Sequence, residues 1–442
     1  VSGLRSGVAI STFGNLVTPL AGLITAPVLA QSLGVVGRGE VAAATTPLFL
    51  ATSVFTLGLP EALTYFAAKR PAREGWTVSI SLIALGALGF VGTLLIAVLT
   101  PFLSADDESL GRMILLASIA CTPSLVQAGL RGLAYAYRAW WLVTSDRILS
   151  SASRLVIICA LALSSTLTPT SATLAIAWTS VAGILVYLAL PFRRHVVEER
   201  AAAAPFSALV AFGGRVWIGS LAGILLSRVD QTLMVPFAGA YALGIYTVAV
   251  TVSEIALVFN AAVRDVTFSL ESARQDQSRL EAATRVSTLI TLAAAIGVGL
   301  LSIWAIPFFF GGEFSEAVVV VFVLLIGLVL GNPGSVSGAG LRARGRPGLA
   351  SWSLVIGMTV NLLALVLWVP DHGAIGAAWA TTAGSIAAGG MNVFWLRTRF
   401  GVPVRNLLLF RRADPAELLR TGTRLRRMAR RDVRETSGRG SD

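Results

Sequence analysis

The chain has 442 residues, of which 55% are hydrophobic and 13% charged, with a mean hydropathy of +0.77. Soluble domains carry about 25% charged residues, so this composition excludes an ordinary soluble globular protein and points to a bilayer. The net charge of +12 does not read as a nucleic-acid interface, because the basic residues sit in short connections and a tail rather than on a face interleaved with aromatics.

At about 20 apolar residues per membrane span, the sequence predicts an all-α integral membrane protein with twelve transmembrane helices. They fall at 8–30, 40–68, 77–101, 111–134, 146–165, 172–191, 206–236, 241–266, 285–308, 315–338, 350–369 and 374–396. The first stretch follows Arg5 and ends in small residues, as a secretory signal would. Its Gly-containing exit returns at span seven, so it is expected to stay with the fold. Pro19, Pro27, Pro47, Pro60, Pro123, Pro236 and Pro333 lie within spans, where proline kinks or ends a helix. Pro19 and Pro27 together make span one the best place for a bending gate.

Three marks recur in order along the chain. Gly34, Gly39, Ala44 and Thr46 return 205 residues later as Gly239, Gly244, Ala249 and Thr251. Ala128-Gly129-Leu130-Arg131 returns as Ala339-Gly340-Leu341-Arg342, and Ala177-Trp178 with Gly183 returns as Ala378-Trp379 with Gly384. A near-constant offset implies a duplicated half rather than a solenoid. Six spans per half is an even number, so the halves are expected to be parallel repeats about an axis along the membrane normal. The expected organisation is an N-terminal six-helix lobe at 1–195, a cytoplasmic linker at 196–205, a C-terminal six-helix lobe at 206–400 and a basic tail at 401–442.

Charge sets the orientation. Even-numbered span exits carry Lys69, Arg70 and Arg73; Arg131, Arg138 and Arg147; Arg193, Arg194 and Arg200; Arg274, Arg279 and Arg285; and Arg342, Arg344 and Arg346. Odd-numbered exits offer only Arg38 and Arg112, beside Asp106, Asp107 and Glu108. Short cytoplasmic loops accumulate Lys and Arg, which places both termini in the cytoplasm. From Arg397 onward the tail holds 13 Arg against 5 acids, with Leu418, Leu419, Leu425, Met428 and Val433 as a loose apolar stripe. It is expected to lie on anionic membrane lipids, each basic group contributing up to about 1 kcal/mol. Docking of a cytoplasmic partner is the other reading.

Enzyme chemistry finds little support. The chain has no Walker, Gly-x-Ser-x-Gly or His-Glu-x-x-His motif, and no soluble portion large enough for a nucleotide-binding domain. Cys121 and Cys159 fall in apolar spans and His195 and His372 in separate loops, so no disulfide, metal site or cofactor is expected.

Ionisable groups at membrane depth are then the informative ones, since burying a charge there costs at least about 2.5–3.5 kcal/mol and such groups face wet interiors. Arg228 and Asp230 lie in span seven and Glu254 in span eight. Two residues apart is about 200° around a helix, so Arg228 and Asp230 point to different surroundings. Arg228 is either an interhelical partner of Glu254 or a cation facing a cavity. Arg147, Ser150 and Arg154 share one face of span five, with Arg131 at the foot of span four. They form either a cationic stripe matched to phosphate or ordinary positive-inside anchors. Asn15, Gln31, Asn260 and Asn361 either line a polar passage or bond neighbouring helices.

Asp230-Gln231-Thr232-Leu233-Met234, Gly239 and Leu243-Gly244-Ile245-Tyr246-Thr247-Val248-Ala249 resemble the mid-chain signature of bacterial polysaccharide-export flippases of the O-antigen and teichoic-acid type. Gly373-Ala374-Ile375-Gly376-Ala377-Ala378-Trp379-Ala380-Thr381 is similar to that family's closing segment. Their superfamily also holds the multidrug-and-toxin extrusion antiporters and the lipid II flippases. The resemblance covers all twelve spans with degenerate motifs. It implies two lobes around a central cavity, alternating access, and flipping of a polyprenyl-diphosphate-linked oligosaccharide across a bacterial plasma membrane, with polysaccharide-assembly proteins as partners. Two further spans after the twelfth, typical of lipid II flippases, are replaced here by the charged tail. The acid that extrusion antiporters often carry in span one is missing from 8–30, while Glu254 keeps an ion-coupled antiporter as the alternative reading. A polysaccharide-assembly enzyme would need a long external loop or soluble domain bearing catalytic acids, and the external loops are short.

Overall fold

The structure, a computed structural model, describes residues 2–69, 75–190, 205–274 and 277–408. Residues 196–204 of the expected linker, Arg70, Arg73, Arg193, Arg194 and Arg200, and the tail from 409 lie outside the described residues. So do the side chains of Asn15 and Asn260.

The described residues form helices and no strand, in the order α1 (Ser2–Val54), α2 (Leu59–Lys69), α3 (Gly75–Leu103), α4 (Glu108–Ser118), α5 (Cys121–Ala136), α6 (Trp140–Leu163), α7 (Pro169–Ala182), α8 (Phe206–Arg274), α9 (Gln277–Phe310), α10 (Ala317–Ala343), α11 (Pro347–Phe400) and α12 (Val404–Leu408). A 3-10 turn, Gly183–Ala189, continues α7. Eight of the described helical segments are long and apolar enough to cross a bilayer. α6 is not among them, since Asp146, Arg147 and Arg154 interrupt its apolar run.

Helix boundaries differ from the expected spans in an informative way. The connections expected after spans one, seven and eleven are nearly absent, because α1, α8 and α11 each run on through a single non-helical residue: Gly34 (φ +67°), Gly239 (φ +79°) and Gly373 (φ +53°). The apolar part of α1, Val17–Val54, has 38 residues. A straight helix of that length would be about 57 Å long against a hydrocarbon core of about 30 Å, so the break is required. Glycine adopts the left-handed conformation at no steric cost, which is why one residue suffices. Spans two and four are broken in the opposite sense: Phe55–Gly58 separates α1 from α2, with Leu57 and Gly58 at positive φ, and residues 119–120 separate α4 from α5.

The repeat marks meet in space. A Cβ on Gly39 would overlap the carbonyl oxygen of Ala240, and a Cβ on Gly244 would overlap that of Val35. These two contacts interchange under the 205-residue offset, as contacts across a two-fold axis do. Small residues here let the α1 and α8 backbones touch. Toward the far end of α1, Trp217 Nε1 donates to the Val54 carbonyl at 2.7 Å, and Tyr65 stacks on Phe212 with centroids 4.5 Å apart. One hydrophobic core, including Ala30, Leu48, Leu63, Ile114, Leu243, Tyr246, Val321 and Leu365, runs through both halves. Outward-facing Val98, Leu163, Leu300, Trp304 and Leu367 are as apolar as the inside, as lipid-facing surfaces are.

Gly39→Ala and Gly244→Ala are each expected to lower thermal stability in detergent by the cost of overpacking, about 1–3 kcal/mol. Gly297→Ala, with open space around its Cβ inside α9, is the control and should leave the melting temperature unchanged or raise it slightly, since alanine is the better helix former.

Candidate functional site: a cationic cavity between the halves

A cavity of about 600 Å³ lies between α1, α6, α7 and α8. Its walls draw on both halves: Thr18, Thr25, Arg38 and Thr45 from α1, Arg154 from α6, and Arg228, Gln231, Thr247 and Glu254 from α8. Among the described residues the lining holds three arginines and one carboxylate, a formal excess of two positive charges.

Arg228 Nη2 lies 3.3 Å from Glu254 Oε1, with the side chains 45% and 49% exposed. The two readings of Arg228 therefore coincide: it pairs with Glu254, and the pair faces the cavity. The Nε atoms of Arg38 and Arg154 are buried without a hydrogen-bond partner. A buried guanidinium donor left unpaired is costly, and a carboxylate or phosphate oxygen is its natural acceptor.

Asp230 points the other way, as its 200° offset from Arg228 requires. It is 2% exposed and accepts from the Gln231 backbone N–H at 2.7 Å, the Thr381 hydroxyl at 3.1 Å and the Tyr246 hydroxyl. It lines a second cavity, of about 380 Å³, enclosed by α8, α10 and α11 with Ser227, Ser253, Asn332, Ser385 and Asn392. Asn361 is buried behind it, its amide 3.4 Å from Thr381 Oγ1.

The arginines near the foot of the first half separate. Arg131 binds Asp146 Oδ2 through Nε at 2.9 Å and Nη2 at 2.8 Å. Asp146 is fully buried and also takes Gln127 Nε2 and the Tyr187 hydroxyl, each at 2.7 Å. Gly183 is required beside it, since a Cβ there would overlap Asp146 Oδ1. Arg147 Nη2 donates to the Tyr135 hydroxyl at 3.2 Å. Neither Arg131 nor Arg147 lines either cavity, whereas Arg154, two turns further along α6, does. Gln31 joins the halves through Phe309 O at 2.9 Å and is absent from both linings.

Two residues stand out that sequence reasoning passed over. Arg38 reads as a loop flank because it follows span one, yet the helical continuation past Gly34 turns it into the cavity. Asp146 is an acid at the start of an apolar span, a signal in itself, but its pairing with Arg131 depends on how α5 and α6 pack.

The family described as "Polysaccharide biosynthesis protein" matches residues 4–268. A probable low-salt glycan biosynthesis flippase, Agl15 of Haloferax volcanii, is 29% identical over 171 residues, which is 37% of this chain and only 36% of that relative's length. Among solved structures, the lipid II flippase MurJ in an inward closed conformation has a TM-score of 0.73 at 15% identity, covering 90% of this chain and 89% of its own. An inward-facing multidrug resistance MATE transporter of the MOP superfamily has a TM-score of 0.66 at 14% identity, covering 90% and 99%. At these identities the likeness is one of fold.

Proposed function

From the premise that this chain belongs to the polysaccharide biosynthesis protein family, we propose that it flips a polyprenyl-diphosphate-linked oligosaccharide from the cytoplasmic to the outer leaflet by alternating access. The observation that carries the reading is the cavity between the halves, where, among the described residues, three arginines outnumber one carboxylate. A diphosphate supplies acceptor oxygens for the unpartnered Nε atoms of Arg38 and Arg154 and competes with Glu254 for Arg228, and the guanidinium fork suits it better than an ammonium would. Asp230 shapes the neighbouring wall, while Arg131 and Arg147, held by Asp146 and Tyr135, support the helices around the site.

The proposed architecture is twelve transmembrane helices in two parallel lobes, 1–195 and 206–400, joined by the 196–205 linker. The breaks at Gly34, Gly239 and Gly373 favour it by dividing each of three long helices into two spans. The protein resides in the cytoplasmic membrane with both termini inside, its 401–442 tail on anionic lipid, and supplies polysaccharide-assembly proteins with their substrate.

In proteoliposomes, a fluorescent polyprenyl-diphosphate sugar should exchange leaflets at a protein-dependent rate, and a neutral polyprenyl glycoside should not. Equal rates for both would defeat the reading. The second reading, an ion-coupled antiporter of small molecules, is favoured by the buried Asp230 and its adjoining cavity. It predicts ion-driven efflux of cationic drugs from the same vesicles.

For the topology, reporter fusions at Asp106, Thr168, Gly312 and His372 are all expected to read external. Cytoplasmic signals at two or more of these sites would overturn the topology.

A further inference from the structure

Among the described residues, Glu254 is the one charged residue common to the linings of both cavities. In the central cavity its Oε1 holds Arg228 Nη2 at 3.3 Å, half exposed. In the second cavity it shares a polar wall with Ser227, Ser253, Asn332 and Ser385, where the Ser253 hydroxyl is buried without a hydrogen-bond partner. The carboxylate therefore has two polar environments within one helix position: a cation on one side and hydroxyl and amide groups on the other. An ion pair this exposed favours the paired state by only about two- to fivefold. Such a pair holds the cation in the empty site and yields to a stronger anion.

We infer that Glu254 is a built-in counter-ion of Arg228, displaced toward the second cavity by an incoming anionic headgroup, and that it sets the charge threshold for binding. This inference rests on the reading that the central cavity takes a phosphate-bearing lipid. Binding is then an exchange of anions at one guanidinium. A diphosphate, with more charge and more acceptor oxygens than a carboxylate, wins that exchange by a wider margin than a monophosphate does. The same exchange run backwards assists release, because Glu254 re-forms its pair with Arg228 as the headgroup leaves. Arg38 and Arg154, the other cations among the described lining, pair with no carboxylate among the described residues and hold the headgroup without such a competitor.

The test is binding of polyprenyl diphosphate, polyprenyl monophosphate and neutral polyprenol to the full chain in nanodiscs, paired with flipping kinetics. Glu254→Gln removes the competitor while keeping shape and hydrogen bonding. It is expected to bind the monophosphate about fivefold more tightly, narrow the preference for the diphosphate, and lower both KM and kcat for flipping as release slows. Glu254→Asp, one methylene shorter and still charged, should shift all of these the same way by less, and serves if the Gln variant fails to fold. Unchanged or weaker binding of both phosphates in the variants would overturn the inference while leaving the anion site intact. Wild-type protein that binds polyprenol as well as diphosphate would overturn the underlying reading and this inference with it.

Discussion

Arg228→Gln and Arg154→Gln are each expected to reduce flipping of a polyprenyl-diphosphate sugar about 100-fold in proteoliposomes at normal expression. A bidentate, charge-assisted contact to an oxyanion is worth about 3 kcal/mol, which is that factor in rate or affinity. Both side chains line the central cavity, and Arg154 keeps a buried Nε with no acceptor of its own. Lysine preserves the charge but loses the fork, so Arg→Lys should fall between wild type and Gln, at about tenfold. The combined variant Arg228→Gln/Glu254→Gln decides what Arg228 is for. If its main task is to neutralise Glu254, removing both restores transport; if it holds the headgroup, the double variant stays as slow as Arg228→Gln. Normal rates in both single Gln variants would remove these arginines from the binding site.

Asp146→Ala is expected to be the most destabilising single change among the residues discussed, lowering stability by about 3–5 kcal/mol. Its carboxylate is fully buried and joins α5, α6 and the 3-10 turn after α7 through Arg131, Gln127 and Tyr187. Removing one partner of a buried pair strands the other, which costs more than the pair itself contributes. Arg131→Gln combined with Asp146→Asn leaves a neutral hydrogen-bonded cluster and should recover most of the loss. The measurement is the thermal unfolding midpoint of purified protein in detergent, beside flipping of the folded fraction. If Asp146→Ala unfolds at the wild-type temperature, the cluster is not structural. An intact flipping rate per folded molecule in the double variant would place Arg131 outside the transport step.

Much of this could be read from one-dimensional patterns. Hydropathy alone separates a bilayer protein from a soluble one, because an apolar surface on all sides has no place in water. The 205-residue offset between Gly34 and Gly239 was legible because both glycines answer the same local demand, a left-handed residue within a helix too long for the membrane. The opposed directions of Arg228 and Asp230 follow from helical periodicity, which fixes angle without any knowledge of neighbours. Where helices break was less accessible. The interruption between α1 and α2 at Leu57 and Gly58 and the one between α4 and α5 fall inside uniformly apolar runs, and apolar composition does not distinguish a helix from a turn packed against another helix.

Partner choice was decided only by tertiary packing. Arg131, Arg147 and Arg154 look alike in sequence, three arginines near one end of neighbouring spans. The fold gives the first to Asp146, the second to Tyr135 and the third to the cavity. Arg38 likewise became a cavity residue only when α1 continued past Gly34. Periodicity sets the face on which a side chain emerges, but what occupies the space beyond that face depends on how other helices pack there, near or far in the chain. That is why the sequence of this protein determines its class, its repeat and its helix faces, while the composition of its cavity belongs to the packing of one half against the other.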